Sequence, residues 1–149
     1  MTKDKLSWED IDNAVQILAE VIGDTKYKQI IAIGRGGMIP AVMLAHKLGI
    51  KDIGLMQHSR ERGVYGKSFS TDDIRLATTL FIDDATETGG TIKQIDDYFA
   101  EAFGFDDIPV MKIQSAVLYC ANSATHRPTF AARAFYTSEC PIMPWEVET

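Results

Sequence analysis

The residues of this 149-residue chain whose types and spacing could do chemistry are gathered at Asp83-Asp84-Ala85-Thr86-Glu87-Thr88-Gly89-Gly90-Thr91, directly after the apolar run Thr79-Leu80-Phe81-Ile82. Four β-prone residues predict a strand. Asp83 and Asp84 are then expected at the carboxyl edge of a sheet, where α/β proteins bind ligands. Two adjacent carboxylates there are acceptors suited to a cis-diol. Beyond them, Gly89 and Gly90 allow close backbone approach, while the amides from Thr86 to Thr91 and the hydroxyls of Thr86, Thr88 and Thr91 can face an anion at a helix start. One ligand with a diol and a terminal phosphate satisfies both halves. An ordinary strand-to-helix turn with an N-cap would use the same residue types, so the motif gains its meaning from the rest of the chain.

A second glycine-rich stretch, Gly34-Arg35-Gly36-Gly37, follows another apolar run. It does not complete a dinucleotide fingerprint, because Ile39 stands where the third glycine belongs and no acidic residue ends the next strand, where Gln57 and His58 sit. No Gly-Lys-Ser/Thr occurs, which excludes a Walker A loop. Arg35 offers a planar donor fork suited to an anion. His46, His58 and His126 form no ligand set, and Cys120 and Cys140 fit no metal or redox spacing. They are expected to be reduced and partly buried.

The elements that must position these residues follow a β/α alternation. Ser7 caps a helix with Trp8, Ile11, Val15, Leu18 and Ile22 at three- and four-residue steps, Asp10 completes a capping box, and Gly23 suits the stop. Ile30 to Ile33 predicts a buried strand, 39 to 48 a second helix closed by Gly49, 52 to 57 a short strand, and 79 to 82 the strand of the acidic motif. A third helix is expected over 91–103 with Ile92, Ile95, Phe99 and Ala102 on its inner face. Strands are expected within 110–120 and over 131–136. Right-handed crossovers make this an α/β fold, a mostly parallel twisted sheet flanked by helices. The stretch 58–77 is expected to be irregular, the usual form of a functional lid.

The length suits one well-cored domain, taken as 1–149. With 46% hydrophobic and 24% charged residues the composition is that of a globular protein, and no apolar run approaches the roughly 20 residues of a membrane helix. The segment Met1 to Leu6 lacks a secretory pattern, so a cytoplasmic location is expected and no membrane partner. A net charge of −6 argues against nucleic acid as a partner. Anionic ligands would need local positive charge or Mg²⁺.

The thirteen positions from Thr79 to Thr91 resemble the signature of type I phosphoribosyltransferases, and among these the bacterial xanthine-guanine and hypoxanthine enzymes. The resemblance covers most of the chain, tightly at Asp83 to Thr91, fairly at Gly34 to Pro40 and loosely in the last thirty residues. It implies an enzyme that transfers the phosphoribosyl group from Mg²⁺-bound phosphoribosyl diphosphate to a nucleobase, a purine in salvage, and releases diphosphate. Asp83 and Asp84 would bind the ribose hydroxyls, and Ala85, Thr86, Thr88, Gly89, Gly90 and Thr91 the 5-phosphate. Arg35, Gly36 and Gly37 would hold the diphosphate, and Glu87, where relatives carry aspartate, would serve the base's proton. Mg²⁺ would bind through substrate oxygens with no dedicated protein ligand, Asp83 and Asp84 standing nearest. Ser59, Arg60, Arg62, Tyr65 and Lys67 would belong to a flexible loop that closes over the ribosyl diphosphate.

The same resemblance makes 122–149 a hood over the base and the assembly a homo-oligomer, dimer or tetramer. Here the likeness weakens. Ala121 falls where relatives have the lysine that contacts the 6-oxo group, and Cys140 where they have the stacking aromatic. Trp145, Tyr119 or Tyr136 would supply that surface. Two alternatives stay open: transfer to a different acceptor, such as a pyrimidine or a non-nucleobase, and a non-catalytic regulator on the same fold that binds phosphoribosyl diphosphate or a nucleotide.

Overall fold

A computed structural model describes residues 5–24, 26–104 and 112–146. A capping box starts α1 (Trp8–Ile22): the Ser7 hydroxyl accepts the Asp10 amide while the Asp10 carboxylate accepts that of Ser7, and Gly23 ends the helix at φ +67°. There follow β1 (Gln29–Ile33), α2 (Gly34–Leu48), β2 (Asp52–Ser59), β3 (Gly63–Lys67), β4 (Thr79–Thr86), α3 (Gly90–Phe103), β5 (Gln114–Ala121) and β6 (Phe130–Phe135). Short 3₁₀ turns stand at Leu76–Thr78 and Thr137–Glu139.

The six strands form one sheet in the order β3-β2-β1-β4-β5-β6, parallel throughout except for the antiparallel β2–β3 edge. Because both faces are covered, the central strands are continuous apolar runs, and the period of two in a strand divides them between two cores. Ile30, Ala32, Leu80, Ile82, Ala116 and Leu118 pack on one side with Ile11, Val15 and Leu18 of α1 and Leu44 of α2. Ile31, Ile33, Phe81 and Val117 face the other way, against Ile92, Ile95 and Phe99 of α3.

The chain departs from the sequence expectations in five places. β4 runs on to Thr86 instead of ending at Ile82, because pairing with β5 continues past the acids, which therefore lie within the strand. The stretch 58–77 is not irregular throughout: β2 continues to Ser59 and turns at Gly63 (φ +67°) into β3, whose Val64 and Tyr65 favour the extended state. Helix α2 begins at Gly34 rather than near Ile39, since Gly34 at φ +57° pivots the chain out of β1 and Pro40 is accommodated inside the helix. Ala102 is exposed rather than on the inner face of α3. Within 122–149, Phe130–Phe135 is a strand of the sheet, so the covering part is the shorter stretch that follows it. The start of the strand expected from Val110 lies outside the described residues.

Close packing of α2 on β4 rests on Gly37, where an added Cβ would come 2.2 Å from the Ile82 carbonyl oxygen. Gly37→Ala must therefore push helix from strand. We expect it to lower stability by about 1–3 kcal/mol, read as a fall of several degrees in the thermal midpoint by circular dichroism. An unchanged midpoint would contradict the packing described.

Candidate active site

Strand order alone brings the two glycine-rich motifs together. β1 sends its helix to one face of the sheet and β4 sends its own to the other, and the two strands are neighbours, with Ala32 opposite Ile82. Their carboxyl ends thus form the switch point of the sheet, the place where a crevice opens in α/β folds. Beyond the Ala32–Ile82 pair β1 ends at Ile33 and gives way to Gly34, while β4 runs on through Asp83 and Asp84 to Thr86.

The crevice has two lobes, of about 990 and 590 Å³, which share His58, Arg60, Asp84, Thr91 and Glu146. In the larger lobe the first turn of α2 presents Gly34, Arg35 and Gly36, facing Asp83 and Asp84. Trp145 closes this lobe from the carboxyl-terminal side, its ring 5.8 Å from that of Trp8. The segment bearing Trp145 is tied to the start of the chain, since the Leu6 amide donates to the Ile142 carbonyl at 2.8 Å. The smaller lobe is lined by Thr86, Glu87, Thr88 and Gly90, and across from them by Cys140, Pro141 and Met143.

Asp83 and Asp84 sit where the lobes meet the sheet. The Asp83 carboxylate accepts the Asp84 amide at 2.8 Å, and that of Asp84 accepts the Ala85 amide at 2.7 Å. Burial, reinforced by the charge of Asp84, pushes the Asp83 carboxyl well above the ordinary aspartate value. Gly36 lies against this pair: a Cβ there would come 2.6 Å from Asp84 Oδ2. Past the strand, the Gly89 amide donates to the Thr86 hydroxyl and the Gly90 amide to the Thr88 hydroxyl, each at 3.0 Å, which curls the backbone into the first turn of α3. Among the described residues, no group of three or more His, Cys, Asp or Glu could hold a metal ion. The crowded Asp83-Asp84 pair is nevertheless a place where a cation carried by a ligand would be electrostatically welcome.

Most of the residues singled out from sequence are brought together: Arg35, Gly36, Ser59, Arg60, Asp83, Asp84, Thr91 and Trp145 at the larger lobe, and Ala85, Thr86, Glu87, Thr88 and Gly90 at the smaller. Gly37 and Gly89 lie behind the walls, Gly37 on the Ile82 carbonyl and Gly89 on that of His126. Arg62 and Tyr65 stack on each other, guanidinium to ring centroid 4.0 Å, and with Lys67 stand outside both lobes. Tyr119 is buried in the core beside α1, and Tyr136 is exposed outside the lobes, so neither is brought to the crevice. Sequence reasoning passed over His58, which lines both lobes and whose Nε2 donates to Gln94 Oε1 of α3. The spacing of the two residues carried no signal for this; it arises from the hairpin lying over the start of α3.

No family model matches the chain. The xanthine-guanine phosphoribosyltransferase of Idiomarina loihiensis is 31% identical over 99 residues, 59% of this chain and 59% of that protein. The chain thus spans about three fifths of the length of the curated relatives it matches. Among solved structures, a purine phosphoribosyltransferase from Pyrococcus horikoshii superposes with a TM-score of 0.79 at 25% identity, covering 100% of this chain and 97% of that one. A xanthine-guanine-hypoxanthine phosphoribosyltransferase from Helicobacter pylori shares the fold, with a TM-score of 0.72 at 18% identity over 98% of this chain and 95% of its own. In motif, sheet order and these likenesses the chain is similar to the type I phosphoribosyltransferases, whose fold it shares.

Proposed function

We propose that the chain transfers a 5-phosphoribosyl group from phosphoribosyl diphosphate to a nucleobase, a purine, and releases diphosphate. The observation that carries this reading is the pair of carboxylates at the junction of two lobes, each lobe bordered by the first turn of a helix. A ribose whose hydroxyls meet Asp83 and Asp84 would place its 5-phosphate at Thr86 to Thr91 and its diphosphate at Arg35 and Gly36. Both anions would then lie at positive helix ends. The base nitrogen attacks C1 as the bond from C1 to the diphosphate oxygen breaks, and the nitrogen's proton passes to the Glu87 carboxylate. Mg²⁺, held by substrate oxygens near Asp83 and Asp84, would supply charge neutralisation for the leaving diphosphate. Arg60 and His58, carried by the β2–β3 hairpin, close the crevice against water, which would otherwise compete for C1. The same family likeness supports a cytoplasmic homo-oligomer as the working form.

Three outcomes test this reading. Phosphoribosyl diphosphate with Mg²⁺ should stabilise the protein, by about 2.7 kcal/mol at a hundredfold excess over its dissociation constant, and nicotinamide dinucleotides should not. A thermal-shift series decides it: no shift at millimolar phosphoribosyl diphosphate removes the proposal.

Asp83 carries a second test. Folding raises its pKa, so between the ordinary value and the raised one the folded state holds more protons than the unfolded. Stability attributable to this group therefore falls as pH rises through that window, and the ionised carboxylate is a cost above it. Asp83→Asn should raise the ligand-free thermal midpoint at neutral pH by about 2–4 °C while losing most of the stabilisation by phosphoribosyl diphosphate. Asp84→Asn should weaken the ligand with little change of midpoint. A ligand-free midpoint that drops sharply in Asp83→Asn would mark the residue as structural.

The third outcome concerns the base. Ala121 is fully buried in the core and Cys140 lines the smaller lobe, so neither supplies the lysine or the aromatic that relatives use there. A site rejects a wrong substrate most strongly when that substrate leaves a buried polar group unpaired, an effect that reaches several powers of ten. Without the lysine, initial rates with hypoxanthine, guanine and xanthine should be similar to one another. A strong preference for one of them would assign the lysine's work to another group.

A further inference from the structure

Outside both lobes stands a hydrogen-bonded aspartate-histidine pair that lines neither of them. Asp96, on α3 and 8% exposed, accepts the His126 ring at 2.8 Å through Oδ2 and the Ile113 amide at 2.7 Å through Oδ1. His126 lies in the connection from β5 to β6, and its backbone reaches the phosphate-side loop. The Thr88 carbonyl accepts the amides of Thr125 at 3.2 Å and His126 at 3.1 Å. Gly89, at φ +88°, lies so close above the His126 carbonyl that a Cβ would come 1.7 Å from its oxygen.

Each of these contacts removes one freedom of the loop. The paired amides set the direction of the Thr88 carbonyl, and the Gly89 contact sets how far the loop can sink toward the sheet. The connection reaches Thr88 through these two amides and the Thr125 hydroxyl, which donates to the same carbonyl at 3.5 Å, and a surface connection is held no better than its own anchors. The Asp96-His126 bond is such an anchor, and it ends on the helix whose first turn the loop leads into. The pair therefore closes a ring of contacts: loop to connection, connection to His126, His126 to Asp96, and Asp96 through α3 back to the loop.

We propose that His126 and Asp96 are positioning residues for the 5-phosphate, fixing the backbone of Thr88 to Thr91 at the geometry that the anion requires. This rests on the functional reading above. Neither side chain lines a lobe, so both act through the loop. A misplacement of a binding loop by a fraction of an ångström is enough to weaken such a contact.

The test compares the two halves of the substrate. Calorimetric dissociation constants for ribose 5-phosphate and for inorganic diphosphate with Mg²⁺ would be measured on the wild type, His126→Ala, His126→Gln and Asp96→Asn, with amide hydrogen exchange at 88–91 on the same samples. In His126→Ala we expect ribose 5-phosphate to weaken about tenfold, diphosphate to be unchanged, and exchange at 88–91 to accelerate. His126→Gln, whose side-chain amide can still donate to Asp96, should recover much of the affinity. Asp96→Asn keeps the volume and the acceptor for Ile113, and should reproduce the alanine effect more mildly if His126→Ala does not fold. Equal weakening of both ligands, or unchanged exchange at 88–91, would overturn the proposal. A wild type that binds neither ligand would instead sink the functional reading, while the exchange data would still decide whether the pair holds the loop.

Discussion

Two consecutive carboxylates at the end of a buried strand are the constraint around which the rest of this fold is arranged. Successive residues of a strand point to opposite faces, so Asp84 continues the row of Leu80 and Ile82 toward α2, and Asp83 continues that of Phe81 toward α3. Neither face offers them bulk water on all sides, and burial together with the charge of Asp84 raises the cost of ionising Asp83. Such an arrangement is unfavourable in the absence of a partner. It persists because the next amides of the same strand, those of Asp84 and Ala85, donate to the pair, and because that strand is fixed by pairing on both sides.

The same pair explains where glycine is needed. Gly36 and Gly37 allow the first turn of α2 to rest directly on β4, one against the Asp84 carboxylate and the other against the Ile82 carbonyl. A side chain at either position would lift the helix start away from the acids. On the other face Gly89 does the equivalent for α3, by resting on the β5–β6 connection. The crevice therefore has two helix starts brought close to the acidic pair, a spacing set by missing side chains rather than by long ones.

This also accounts for what could be read from the sequence. The strand, acids and helix at Thr79 to Phe103 were legible because their signals are local: β-prone residues, then glycines, then a 3.6-residue period. The capping box at Ser7 and Asp10 was legible for the same reason. The β2–β3 hairpin was not, since Gly63, Gly66 and Ser68 read as loop while the pairing that orders them lies across the edge of the sheet. The true start of α2 was hidden because Gly34, Gly36 and Gly37 read as a loop, whereas here they form its first turn and Pro40 sits further in. Tyr119 looked available for stacking by type, yet its place on β5 turns it into the core. His126 gave no sign at all: its partner Asp96 is thirty residues away, and only the topology joins them.

Charge is the last element that the topology settles. The chain carries −6 overall, and the acids at the crevice add locally to that sign. The offsetting cations, Arg35 and Arg60, come from two different elements, α2 and the turn of the hairpin, and Arg60 stands with His58 at the wall common to both lobes. The β1–β2 ladder ends at Met56, and beyond it the tip of the hairpin is bonded between β2 and β3, so the tip can bend without exposing its backbone groups. On the proposed reading this is why Arg60 rides on a hairpin rather than on an irregular loop. An anionic ligand would draw Arg60 inward, and the positive charge that neutralises it would arrive with the backbone that keeps water out.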